Sequence, residues 1–256
     1  MKYDIDKLIT SALSGVESSL GCLLALVEND DSSVSKILEA ISPRLGKAYR
    51  IGITGSPGSG KSTLIDKLVG VIRSKGLTVA VICVDPSSPV TGGAVLGDRI
   101  RMEQHYLDDE VFIRSMASRG NYGGISKAVG AAVDLFDASG KDVVIVETVG
   151  IGQEGIDIIK TVDTTVLVLA PGWGDSMQFM KAGVLEIADL IVVNKADLDA
   201  DGLVDSIKDI LALGTRKSVP PVVRTQAMNN IGLEELYHEL EKQRNEHHHN
   251  VKNNKH

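Results

Sequence analysis

The sequence predicts an α/β protein built on a doubly wound, mostly parallel sheet, and three observations carry that prediction. Seven short runs rich in aliphatic and β-branched residues, at 49–54, 78–84, 111–114, 143–147, 165–170, 190–193 and 222–224, alternate with stretches of helical periodicity. The runs are apolar throughout instead of alternating with polar residues, the pattern of strands covered on both faces. A glycine-rich stretch follows the first run and opens a helical pattern, as expected where a strand feeds a helix N-terminus.

Taken in order, residues 1–48 read as a helical N-terminal extension. Ile5, Leu8, Ile9 and Leu13, then Leu23, Leu24, Leu26 and Val27, then Ile37, Leu38 and Ile41 recur at helical spacing. The pattern stops at Ser42, because Pro43 pushes the residue before it out of helical geometry. Residues 49–240 hold all seven strand runs and form the main domain. From 241 to 256 the apolar residues vanish except Val251, so this end is expected to be a polar, disordered tail. Its three adjacent histidines, His247, His248 and His249, lack a cysteine or carboxylate at ligand spacing.

Composition narrows the partners. With 43% hydrophobic and 24% charged residues the chain has enough apolar material for a sizeable core. A net charge of −7 argues against a nucleic-acid backbone or an anionic membrane as partner, since both need a basic face. No signal peptide opens the chain, and no apolar run nears the roughly 20 residues of a spanning helix. Two cysteines, Cys22 and Cys83, read as buried thiols in a reducing compartment, which suggests the cytoplasm.

Gly55-Ser56-Pro57-Gly58-Ser59-Gly60-Lys61-Ser62, followed by Thr63, fits a phosphate-binding loop. Its glycines let backbone N–H groups turn inward around phosphates, and the helix that follows adds its partial positive charge. Lys61 would reach the β- and γ-phosphates, while the Ser62 hydroxyl would serve Mg²⁺. Such a site also needs a carboxylate at a neighbouring strand end. Asp85 closes the second strand run and Glu147 the fourth, both at the carboxyl edge where open sheets bind ligands.

A second constellation follows the sixth run, at Asn194-Lys195-Ala196-Asp197. A carboxylate at Asp197 would accept hydrogen bonds from the N1–H and exocyclic amine of guanine, a donor pair that adenine lacks. The stem of Lys195 would cover the base, and Asn194 would tie the loop to its surroundings. One strand later, the turn Gln226-Ala227-Met228 stands where a backbone N–H could face guanine O6. The expected ligand is therefore GTP or GDP with Mg²⁺.

With these residues in hand, the chain resembles the MeaB/ArgK family of GTPases from about Ala25 to Leu240. The resemblance rests on Gly52-Ile53-Thr54 before the loop, on residues 84–93 (VDPSSPVTGG), on Leu96-Gly97-Asp98-Arg99 and on Arg101-Met102. It continues through residues 142–153 (DVVIVETVGIGQ), residues 171–175 (PGWGD) and the tetrad from Asn194. It implies a P-loop fold of the SIMIBI type, with Asp85, Asp98 and Glu147 around Mg²⁺ and a switch segment at 86–101. It further implies a metallochaperone that loads, protects or rescues an adenosylcobalamin-dependent acyl-CoA mutase. The chain has no cobalamin lower-ligand motif, so the cofactor would be the partner's. Longer family members carry a C-terminal helical arm that supports dimerisation; here the sequence turns polar after Leu240, so a homodimer would use other surfaces.

For hydrolysis, the expected catalytic set is Lys61, Asp98, Glu147 and Gln153, the last as a candidate for orienting water. Arg99, Arg101, Arg114 and Arg119 are candidates for an internal charge stabiliser. Two rival readings are a GTP-regulated binding module and a protein kinase linked to amino-acid transport.

Overall fold

The computed structural model describes residues 4–85, 102–117, 122–148, 160–172, 184–213 and 219–253. Three helices come first: α1 (Ile5–Leu13), α2 (Glu17–Glu28) and α3 (Val34–Ile41). The Asp4 side chain accepts from Lys7 N at 3.2 Å and caps α1, satisfying one of the donors that a helix start leaves open. α3 passes into a 3₁₀ turn at Ser42–Arg44; Ser42 keeps helical angles (φ −47°, ψ −41°), so the chain leaves helical geometry at Leu45, later than the residue before Pro43 where the sequence predicts it.

The remaining elements are β1 (Tyr49–Gly55), α4 (Lys61–Ser74), β2 (Val79–Asp85), β3 (Val111–Ala117), α5 (Tyr122–Ala138), β4 (Val143–Glu147), β5 (Thr164–Leu169), β6 (Leu190–Val193), α6 (Asp201–Leu213), β7 (Val222–Arg224) and α7 (Leu233–Asn253). All seven strands join one sheet in the order β3-β2-β4-β1-β5-β6-β7. Every described pairing is parallel, so "mostly" parallel understates the sheet. The chain winds from β1 toward β3, returns through β4, and then proceeds the other way through β5. That reversal places the ligand crevice at the carboxyl end of β1.

On the strands other than β1, alternate residues enter different cores, which is why those runs are so apolar. Val79, Val81 and Cys83 of β2 pack with Leu64, Leu68 and Ile72 of α4 and Leu236 of α7. Ala80, Ile82 and Val84 face the opposite layer, with Leu23, Leu24 and Ile37 of the N-terminal helices and Phe136 of α5. A third cluster sets α6 on Leu167, Leu169, Ile191 and Val193. Cys83 is buried as expected, whereas Cys22 is only half-buried.

The extension is thus bound to the sheet by a shared core, and one carboxylate reinforces the join. Asp137 of α5 accepts from the backbone N–H groups of Gly46, Lys47 and Ala48 at 2.7, 3.0 and 2.9 Å, and from Arg50 Nη2 at 2.7 Å. Burial pushes its pKa up, but these donors outweigh burial and hold it below the ordinary carboxylate value.

The polar end departs from expectation: α7 runs on to Asn253 instead of dissolving at Glu241. Polar contacts replace the missing apolar stripe. Tyr49 Oη lies 3.0 Å from the Leu240 carbonyl, the Arg244 guanidinium sits 5.6 Å from the centre of the Tyr49 ring, and His247 Nε2 is 3.6 Å from Asp163 Oδ1. Among the described residues no helix is long and apolar enough to cross a membrane.

Candidate functional site

The phosphate loop joins β1 to α4 at the centre of the sheet. Gly55, Gly58 and Gly60 have φ of 149°, 74° and 88°, conformations that a side chain resists. Two of them also have no room. A Cβ at Gly55 would lie 2.0 Å from Val168 O of β5, and one at Gly60 would lie 2.5 Å from Asn194 Nδ2. The hydroxyls of Ser56 and Ser59 are buried and have no hydrogen-bond partner among the described residues. Lys61, 7% exposed, donates from Nζ to the carbonyls of Gly55 and Ser56, both at 3.0 Å. The loop therefore gathers positive-φ glycines, spare hydroxyls and an ammonium at a helix N-terminus, a set suited to a polyphosphate.

Beside it, Ser62 Oγ donates to Glu147 Oε1 at 2.9 Å, and both side chains are buried. Glu147 is held at this distance by the residue after it. Thr148 N donates to Ile53 O at 3.0 Å, extending the β1–β4 ladder, and its hydroxyl lies 2.9 Å from that of Thr54. Asp85 ends β2 two residues beyond Cys83, which pairs with Glu147. A hydroxyl and a carboxylate beside a phosphate cradle form the oxygen set that Mg²⁺ takes when phosphates complete its shell. Asp98 and Gln153 lie outside the described residues, as do Arg99, Arg101 and Arg119. Arg114 is committed elsewhere: its Nη2 meets Glu28 Oε2 at 2.8 Å on the edge strand β3, which corrects its candidacy as a charge stabiliser.

The constellation that the sequence predicts for guanine sits on the carboxyl side of β6, and Asn194 organises it. Its backbone N donates to Leu169 O at 2.8 Å, and its Nδ2 donates to Ser59 O in the phosphate loop at 2.9 Å. Its Oδ1 accepts from Thr225 Oγ1 at 3.0 Å and from Ala227 N at 3.1 Å. One buried amide thus ties three loops together. Lys195 holds a φ of 55°, and Ala196 N donates to Thr225 O at 3.0 Å, so Asp197 is carried outward and is exposed. In the next turn Gln226 N donates to Ile231 O at 3.0 Å and Ala227 N faces Asn194, while Met228 is exposed. The turn predicted to offer an N–H to a base therefore already spends two of its three on itself and on Asn194.

Three residues of the neighbourhood were given no role of their own by the sequence reading: Thr54, Thr148 and Asp66. A carboxylate four residues after Ser62, within the apolar run Leu64, Ile65, Leu68 and Val69, is a signal that a sequence reading can detect. The threonine pair left none.

Comparison with known proteins agrees with this geometry. The sequence profile of the family described as methylmalonyl Co-A mutase-associated GTPase MeaB matches residues 20–256. A putative GTPase of Pyrococcus abyssi is 50% identical over 246 residues, covering 94% of this chain and 76% of that protein. The GTPase ArgK of Escherichia coli is 38% identical, covering 88% of this chain and 72% of its own. Among solved structures, a LAO/AO transport system kinase aligns with a TM-score of 0.71 at 28% identity, covering 100% of this chain and 84% of that one. A parallel sheet, a glycine cradle at its switch point and a match over nearly the whole length lead to one conclusion: the chain belongs to the MeaB family of GTPases.

Proposed function

We propose that the protein hydrolyses GTP with Mg²⁺ and that its cycle serves an adenosylcobalamin-dependent acyl-CoA mutase. The observation that carries the nucleotide part is Asn194, whose amide joins the phosphate loop to the base loop. In this reading Lys61 and the loop N–H groups hold the β- and γ-phosphates and meet the charge that grows on them during in-line attack by water. Ser62 and Glu147 hold Mg²⁺, with Asp85 and Asp98 supplying further acidic oxygens. When bound, the ion neutralises phosphate charge. Gln153 orients the attacking water. Asp197 reads the N1–H and amine of guanine, Lys195 covers the base, and the turn at Gln226, Ala227 and Met228 lies toward O6.

The mutase reading rests on the family's own description as mutase-associated. Turnover of GTP measured alone and with each of several acyl-CoA mutases tests it. Acceleration by one mutase supports the role, and indifference to all of them rejects it. The resemblance to a LAO/AO transport system kinase keeps a second reading in view. Labelled γ-phosphate distinguishes the two, appearing in solution for hydrolysis and on a protein for a kinase. We further propose a homodimer and a reducing, cytoplasmic setting, the latter fitting the burial of Cys83 in the main core.

A further inference from the structure

Asp66 is an unusual residue to find where it is. It lies on α4 one turn beyond Ser62, is 6% exposed, and has Leu64, Ile65, Leu68 and Val69 of the main core as helix neighbours. Its Oδ2 accepts from Gln104 Nε2 at 2.5 Å and lies 3.3 Å from Lys67 Nζ. Its backbone carbonyl accepts from His105 Nε2 at 2.9 Å, and the same ring nitrogen is 3.4 Å from Oδ1. Oδ1 itself has no hydrogen bond among the described residues. An apolar side chain at this place would serve packing at least as well, because burying a carboxylate with one oxygen unsatisfied is costly.

The residues that Asp66 holds, Gln104 and His105, follow Asp98 closely in the sequence. Met102 is fully buried in the core beside α4, and His105 is 8% exposed. Two turns further along α4, Arg73 binds Asp108 with Nε at 2.8 Å and Nη2 at 3.1 Å. The chain from 102 to 108 is thus strapped along one helix face at two points, and Asp66 is the point nearer the phosphate loop. Arg73 suffices to fasten the far end.

We infer that Asp66 is a positioning residue for GTP hydrolysis. By fastening Gln104 and His105 to the phosphate-binding helix one turn from Ser62, it fixes the position of that helix end and of its Ser62 hydroxyl, and so governs Mg²⁺ use and turnover without touching nucleotide. The inference rests on the assignment of Mg²⁺ to Ser62 and Glu147.

The test compares D66N, D66E, Q104L and R73Q in the full chain. It measures GTP turnover against Mg²⁺ concentration, affinity for a fluorescent GDP analogue in EDTA, and thermal midpoint. D66N and Q104L are expected to lower kcat about tenfold and raise the half-saturating Mg²⁺ about tenfold, with KM for GTP and affinity in EDTA within about twofold of the parent. D66E should recover much of the loss, and R73Q should lower only the thermal midpoint. The idea is overturned if D66N or Q104L loses stability yet keeps the parent's kcat and Mg²⁺ dependence, or if R73Q reproduces their kinetic defect. Should D66N not fold, Q104L and D66E decide by the same criteria. S62A reports separately on the underlying assignment: loss of its Mg²⁺-dependent turnover upholds the metal site whichever way Asp66 falls, and unchanged Mg²⁺ dependence removes the metal site and this inference together.

Discussion

In the proposed nucleotide site, recognition at the phosphate end is built from backbone: three glycines in positive-φ conformations, with serine hydroxyls held in reserve. At the base end it is built from side chains: a buried amide that braces three loops and an exposed carboxylate carried at the loop's tip. The two ends should therefore fail differently. Adding atoms harms the first, where space is filled by neighbouring backbone. Changing functional groups harms the second, where shape is tolerant and bonding is specific.

The largest effect expected is for Gly55→Ala, whose Cβ would collide with Val168 O at 2.0 Å in a backbone conformation alanine avoids. A loss of about 4 kcal/mol or more is expected in denaturant unfolding, with no measurable GTP binding. Asn194→Ala removes donors and acceptors from three loops without steric conflict. It should cost about 3 kcal/mol and lower affinity for both GTP and GDP about 100-fold, measured by fluorescence titration. Equal losses for phosphate-only probes and whole nucleotide would break the distinction between the ends.

A change outside both ends provides the reference. Asp137→Asn should cost about 2 kcal/mol at neutral pH while leaving nucleotide affinity intact. Because its folded pKa lies below the ordinary 3.8, Asp137 stabilises the fold above that value and loses its contribution as pH falls through the folded pKa. The variant's unfolding free energy should therefore fall less steeply than the parent's below about pH 4, measured by denaturant titration across that range.

Asp197→Asn sharpens the base end. It should weaken GTP binding by about 1 to 2 kcal/mol and shift preference toward xanthosine triphosphate, whose base carries a carbonyl where guanine carries its amine, with competition binding as the readout. The smallest effect belongs to Thr148→Val, which removes one hydroxyl contact with Thr54. About 1 kcal/mol is expected, seen as a small drop in thermal midpoint, with a shift in Mg²⁺ dependence if Glu147 moves.

How much of this was legible in the sequence follows from the range of each interaction. All seven strands end within three residues of the predicted ends, because a strand buried on both faces leaves an apolar run that needs no partner to be seen. The phosphate loop and the tetrad were visible for the same reason, as each is a contiguous stretch. What was hidden depends on sequence-distant residues meeting. The bond from Asn194 to Ser59 spans 135 residues and exists because β6 and β1 both flank β5. The threonine pair spans 94 residues and follows from the β1–β4 register. The end of α7 was misjudged because its hold on the sheet comes from Arg244 over Tyr49 and His247 near Asp163, contacts that leave no apolar period to detect.

The missing methyl group at Gly60 has a consequence beyond that residue. A nucleotide has a fixed span from base to terminal phosphate, set by its own covalent bonds, and a protein that binds both ends must match that length. Here the gap between the two loops is set by the bond from Asn194 Nδ2 to Ser59 O at 2.9 Å, and a Cβ on Gly60 would lie 2.5 Å from that same nitrogen. Widening it by a single carbon would move the base loop off the phosphate loop and leave the protein measuring a molecule that does not exist.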